Sequence, residues 1–367
     1  MKKRFLKCMA LTLAILMILP FSLLACTQGE VTPPDNPPEQ EAGDGNDKND
    51  TPAEPKKAAV ALDLTKEWEA LNGENTLVQG CLVVNTAWAA AHPNELAKFL
   101  ADYEASINTV KSGTDDAIDL IVNAGILPKA AIAKKALPNC NLCYFAGADM
   151  KPVMNAFTQK IFEYDPKSIG GALPTDSFYY TASGDATKAD KETEIKVYAL
   201  NGTTALGMAE MICNDKNGTA EMNYNISLHA DATSITGAIV KGECAIAALP
   251  TNVAVKLFNN SQGKLQLLAL NTLGVLYLLQ DATQDVTSIN DLKGKTVYLP
   301  GAGSNPEYIT AALLTAAGLK IGTDVTLDTT TYNTPDALQT AFATGKAPLA
   351  VLPEPKVTVA LAAANTQ

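Results

Sequence analysis

Apolar and polar positions divide the chain into three materials. Met9–Leu24 is almost wholly apolar, Thr27–Lys57 offers little that could be buried, and from Ala58 short apolar runs alternate with amphipathic segments. The runs predict strands at Ala59–Leu64, Gly80–Asn85, Cys140–Phe145, Ile195–Leu200, Tyr224–Leu228, Cys244–Leu249, Leu265–Leu270, Thr296–Leu299, Val325–Leu327 and Leu349–Leu352. Between them, Pro93-Asn-Glu opens a helix with Leu96, Phe99, Leu100, Tyr103, Ile107 and Val110 on one face. Thr114 caps the next helix and Gly125 ends it. A third, Asp149–Tyr164, turns Met150, Val153, Met154, Phe157 and Ile161 inward, a methionine stripe that reads as core. This alternation predicts an α/β fold with largely parallel sheets. About 310 ordered residues exceed one comfortable core, so two lobes are expected.

The first stretch has its own logic. Lys2, Lys3, Arg4 and Lys7 precede the apolar run, which Pro20 breaks and Leu23-Leu-Ala-Cys26 closes. A basic start, an apolar centre and a small residue before a cut describe an export signal over residues 1–25, too short for a membrane span. The Leu-Leu-Ala-Cys end resembles the lipobox of bacterial lipoproteins. That resemblance implies a diacylglycerol thioether on Cys26 and stable anchoring at the outer face of a membrane. The alternative is an ordinary secretory signal with an incidental cysteine. Residues 26–57, with Val31-Thr-Pro-Pro-Asp-Asn-Pro-Pro-Glu39 and a run of Asp, Glu, Gly and Asn, read as a disordered acidic tether.

Charge narrows the partners. Beyond residue 25 the chain holds 24 basic against 39 acidic residues, a formal charge of −15. That excludes nucleic acid and argues against adhesion to anionic lipid heads. Arg4 is the only arginine. A bound anion would therefore have to be held by backbone N–H groups, hydroxyls, amides or lysine. Past Cys26 remain Cys81, Cys140, Cys143, Cys213 and Cys244, an odd number scattered through apolar runs. They form no disulfide framework. Cys140-Asn-Leu-Cys143 has the spacing of a redox or metal site, but no second pair accompanies it and only His92 and His229 are present. No metal, cofactor or catalytic residue is expected. No Ser-His-Asp or paired-carboxylate arrangement emerges from spacing.

The candidate chemistry sits in turns. Asn201-Gly-Thr-Thr-Ala-Leu-Gly-Met208 follows one predicted strand and Pro300-Gly-Ala-Gly-Ser-Asn-Pro-Glu307 another. Each puts free N–H groups and small polar side chains at a helix start, which suits a polar or anionic ligand. Neither matches a P-loop or GxGxxG. Other strand ends offer Leu249-Pro-Thr-Asn252, Asn271-Thr272 and Leu352-Pro-Glu-Pro355. In open α/β sheets such ends line the ligand crevice, although Pro, Asn and Thr also merely punctuate loops.

Several blocks together resemble substrate-binding proteins of bacterial ABC importers, closest to the nitrate/sulfonate/thiamine-precursor-like group. They are Asp291-Leu-Lys-Gly-Lys-Thr-Val-Tyr298, Gly303-Ser-Asn-Pro-Glu-Tyr308, Ala248-Leu-Pro-Thr-Asn252, Asn271-Thr-Leu-Gly-Val-Leu-Tyr277, Leu352-Pro-Glu-Pro355 and Gly170-Gly-Ala-Leu-Pro-Thr-Asp-Ser-Phe-Tyr-Tyr180. The resemblance spans nearly all of 58–367. It implies a type II periplasmic-binding-protein fold, α/β with two lobes and a hinge, closing on a small solute for an ABC permease. The block order departs from that group: a stretch like Ile195–Leu200 begins its members and one like Gly170–Tyr180 ends them. The chain therefore reads as circularly permuted. One lobe is expected from 91–182 with 195–277, the other from 58–90 with 278–367, and 183–194 links the group's usual ends. Hinge crossings are expected near Leu273–Leu279 and near Gly80–Asn85, with neither lobe continuous in sequence. A complete monomer is expected; the rival is a fusion of half-genes with exchanged pieces.

Under that resemblance the ligand-binding residues are Asn201, Thr203, Thr204, Thr251, Asn252 and Asn271 from one lobe, and Gly303, Ser304, Asn305 and Glu354 from the other. Glu354 either pairs with a cationic ligand or caps a helix. Trp68 and Trp88 either stack on a planar solute or pack in the core or hinge. Two other classes compete: a surface sensor or adhesin with the same fold, and an enzyme resembling thiamine-pyrimidine synthase. The importer reading requires a gap between the halves that a solute bridges.

Overall fold

The computed structural model describes residues 57–366. The signal, the tether before residue 57 and Cys26 lie outside the described residues. Eleven strands are described: β1 Ala59–Asp63, β2 Val78–Asn85, β3 Leu142–Ala146, β4 Ile195–Leu200, β5 Tyr224–His229, β6 Ile246–Pro250, β7 Leu265–Leu273, β8 Leu276–Gln280, β9 Thr296–Tyr298, β10 Thr326–Asp328 and β11 Leu349–Pro353. They form two sheets, a five-stranded one ordered β1-β8-β11-β9-β10 and a six-stranded one ordered β3-β7-β2-β6-β4-β5.

Both sheets are mixed, which corrects the expectation of largely parallel ones. In the six-stranded sheet β4 runs parallel to β5 and β6, while β2 lies antiparallel between β6 and β7 and β3 is antiparallel to β7. In the five-stranded sheet β9 is parallel to β10 and β11, and β8 lies antiparallel between β11 and β1. Each sheet thus has three parallel strands with antiparallel strands added beside them.

The strand assignment redraws the division of the chain. The segment Val78–Asn85 is wholly buried within the six-stranded sheet, so a boundary at residue 90 and a hinge at Gly80–Asn85 are corrected. All six strands of that sheet come from 78–273, which is continuous. Only the five-stranded half is split in sequence. The chain crosses between sheets twice, through Leu64–Leu77 and through Gly274-Val275. At the second crossing a side chain on Gly274 would collide with Thr65 Oγ1 and Leu77. The close approach of the two crossing strands therefore requires glycine there. Strand β8 occupies much of the stretch Leu273–Leu279 expected as a hinge crossing, which narrows that crossing to the two residues between β7 and β8.

The halves share an apolar core. Leu62, Leu278 and Val351 of one sheet, Val83, Leu249 and Leu267 of the other, and Trp68 belong to one buried apolar cluster. The helix Met150–Tyr164 adds Met150, Met154, Phe157 and Ile161, and the Trp68 and Phe157 ring centroids lie 6.2 Å apart. Trp68 is therefore core, and Trp88 stacks on His92 at 4.7 Å. Cys140 ends a 3-10 turn rather than starting a strand, since Asn141 takes a left-handed φ of 41° before β3 begins. All five described cysteines are free and buried.

Two features join ends. Ala58 N–H donates to Asn365 Oδ1 at 3.0 Å, and Asn365 Nδ2 donates back to Ala58 O at 2.9 Å. The polar link 183–194 is seated on the start of helix Pro93–Lys111. Asp185 N–H donates to Asn94 Oδ1, Asp190 N–H to Glu95 Oε1, and Gly184 lies so close to Pro93 O that no side chain would fit.

Candidate functional site: the seam between the sheets

The parallel strands β4, β6, β9 and β11 all end in turns that carry candidate residues, and these turns meet. From the six-stranded half, Thr203 and Thr204 follow β4, and Thr251 and Asn252 follow β6. From the five-stranded half, Gly303, Ser304 and Asn305 follow β9, and Glu354 follows β11. The helices Thr251–Ser261 and Asn305–Ala316 begin here, and no side chain caps either first turn. Their free N–H ends carry partial positive charge.

Three hydrogen bonds cross the seam. Thr203 Oγ1 donates to Glu354 O at 2.6 Å. Asn252 Nδ2 donates to Gly303 O and Asn305 Nδ2 to Thr251 Oγ1, both at 3.4 Å. The first is short and strong; the other two are near the outer limit for such bonds. Side chains of the protein itself thus bridge the halves directly. Behind them, Thr251 Oγ1 donates to Val78 O at 2.6 Å. Asn252 and Asn305 are 1 % and 5 % exposed, and the Oδ1 atom of each is buried without a hydrogen-bond partner.

The remaining candidates, apart from Glu354, make their bonds within one half. Thr204 Oγ1 donates to Leu200 O, Asn271 Nδ2 to Thr204 O, and Ser304 Oγ to Gly301 O. Asn201 is exposed, its backbone N–H donating to His229 O. Glu354 is only 2 % exposed, and burial raises its carboxyl to about 7. Thr358 opposes that shift, its N–H donating to Oε2 and its hydroxyl to Oε1, with the Asn139 side chain also bonding. Through Oε2 the carboxyl accepts from a first-turn N–H of the helix Lys356–Ala364, a contact of the capping kind.

Sequence reasoning missed three ties between the halves. Tyr164 OH reaches Ala311 O and Thr315 Oγ1, Tyr277 OH donates to Asn139 O at 3.2 Å, and Asn141 Nδ2 donates to Gly274 O. Their partners lie more than a hundred positions away, so no local spacing signals them. His229 ends β5 half-buried. Its ring nitrogens face Ser227 Oγ at 3.1 Å and Ser234 Oγ at 3.2 Å, and its ring lies against Tyr198. Among the described residues no group of three or more His, Cys, Asp or Glu is placed to hold a metal.

No protein-family model matches the chain, and no curated protein is significantly similar to it.

Proposed function

We propose that this chain is a solute-binding lipoprotein of the type II periplasmic-binding-protein kind, circularly permuted. It captures a small molecule between its halves and delivers it to an ABC permease while Cys26 anchors it to the membrane. The observation that carries the reading is the convergence of four strand-end turns on one seam, two from each sheet, with two buried amide oxygens left unpaired. Such convergence at carboxyl ends of parallel strands is where α/β sheets bind ligands. The two crossings supply a hinge, and the solute favours the closed state through contacts to both sides. The bonds between Ala58 and Asn365 and the seated link 183–194 support the permuted order.

The test is solution scattering with a thermal-shift screen of the full chain against a broad library of small solutes. The ligand-free chain is expected to be more open than the closed structure, and a bound solute to contract it and raise its melting temperature. Ligand-free scattering that already matches the closed form, with no response to any solute, would remove the capture reading.

The direct Thr203–Glu354 bond and the Tyr164 contacts favour a second reading, a surface sensor or adhesin that keeps the fold and stays shut. A synthase-like enzyme is supported least. Burial pushes the Cys143 and Cys244 thiols up to about 12, the opposite of what a reactive thiolate requires.

A further inference from the structure

Resting on the capture reading, we infer that the seam recognises its solute through N–H or O–H donors, so the ligand is a neutral or cationic molecule with a donor-bearing edge rather than an oxyanion. The hydrogen bonds around the two asparagines dictate this polarity. Gly303 O is a carbonyl and only accepts, so the atom of Asn252 facing it is the amide nitrogen. Thr251 has one hydroxyl proton, and Val78 O takes it at 2.6 Å. Thr251 Oγ1 is then an acceptor towards Asn305, and the facing atom there is again nitrogen. Turning either amide over would set two acceptors against each other.

Both Oδ1 atoms are consequently the groups left over, buried and without a donor. Native proteins rarely carry such groups unless something else satisfies them. The two lie at one junction, since Asn252 reaches Gly303 and Asn305 reaches Thr251. An oxyanion would suit the neighbouring helix ends but would face two partial negative charges. None of the side chains bonding across the seam is cationic, and no arginine follows Arg4.

Three isosteric planar pairs separate the two chemistries: guanidinium and nitrate, acetamidinium and acetate, benzamidinium and benzoate. Each is titrated into the full chain at millimolar concentration and equal ionic strength, read by thermal shift and calorimetry. At least one donor-bearing member is expected to bind saturably, roughly tenfold or more tighter than its anionic mate. Asn252→Leu and Asn305→Leu should each erase that preference, with circular dichroism checking the fold. Thr251→Val, which frees the Asn305 amide to turn over, should bring the two members of the pair close together. Should the leucine variants fail to fold, Thr251→Val carries the test alone. Tighter binding of any oxyanion, or no saturable response to any of the six probes, overturns the inference. Contraction in scattering driven by an oxyanion would overturn it while leaving capture by closure intact. A chain that no solute of either class contracts loses both.

Discussion

The two halves are joined in two contrasting ways. One is an apolar contact in which Trp68, Phe157, Leu62 and Leu278 are buried together. The other is the polar seam, with one short bond at Thr203 and two long ones at Asn252 and Asn305. Apolar contacts are dense and non-directional, so separating them exposes large area at once. Long hydrogen bonds exchange readily with water or a ligand. A capture movement of the kind proposed would open the seam and pivot on the apolar contact.

The contrast can be broken hardest at the pivot. Trp68→Ala is expected to destabilise the fold by about 3–5 kcal/mol, the usual loss for a large buried aromatic. Urea unfolding of the wild type and variant measures it, and a loss near zero would deny the shared core its role. Next comes pH. Burial raises the Glu354 carboxyl to about 7 in the folded state, above its ordinary value. Between the unfolded and folded values the folded chain binds more protons. Stability from this group therefore falls as pH rises towards 7, and levels off above it. The contribution is at most roughly 3 kcal/mol. Glu354→Gln should flatten that part of the stability–pH curve; an unchanged slope would show that the carboxyl titrates normally.

At the seam itself the two kinds of bond are expected to give opposite signs. Thr203→Val removes the short bond and strands Glu354 O, at a cost of about 1–2 kcal/mol. Asn305→Leu removes a long bond and an unpaired oxygen together, and should raise ligand-free stability by up to about 1 kcal/mol. Paired denaturant melts decide it: equal losses in both variants would erase the distinction drawn between them.

Much of the fold was legible because the apolar runs are short and the helix signals local. Ile195–Leu200 is a strand at the expected bounds, and Thr114 and Gly125 cap their helix as predicted. The loops bearing Thr203, Asn252, Asn305 and Glu354 could be chosen because polar residues after apolar runs mark strand ends. What escaped is what depends on pairing. Nothing in Val78–Asn85 says that it inserts between β6 and β7, since a strand buried on both faces carries no direction or partner in its composition. Asn201 and Thr204 look alike in the chain, yet one is exposed and the other holds a turn. The unpaired oxygen of Asn305 arises only when Val78 O claims the Thr251 proton from 173 positions away.

The reciprocal bonds between Ala58 and Asn365 make the described polypeptide almost a ring. Splicing those positions with a few small residues and reopening the loop at 183–194 would leave every strand beside the neighbours it has now. Gene order and architecture are thus separable in this molecule, and either site offers a place to cut or graft without touching the seam.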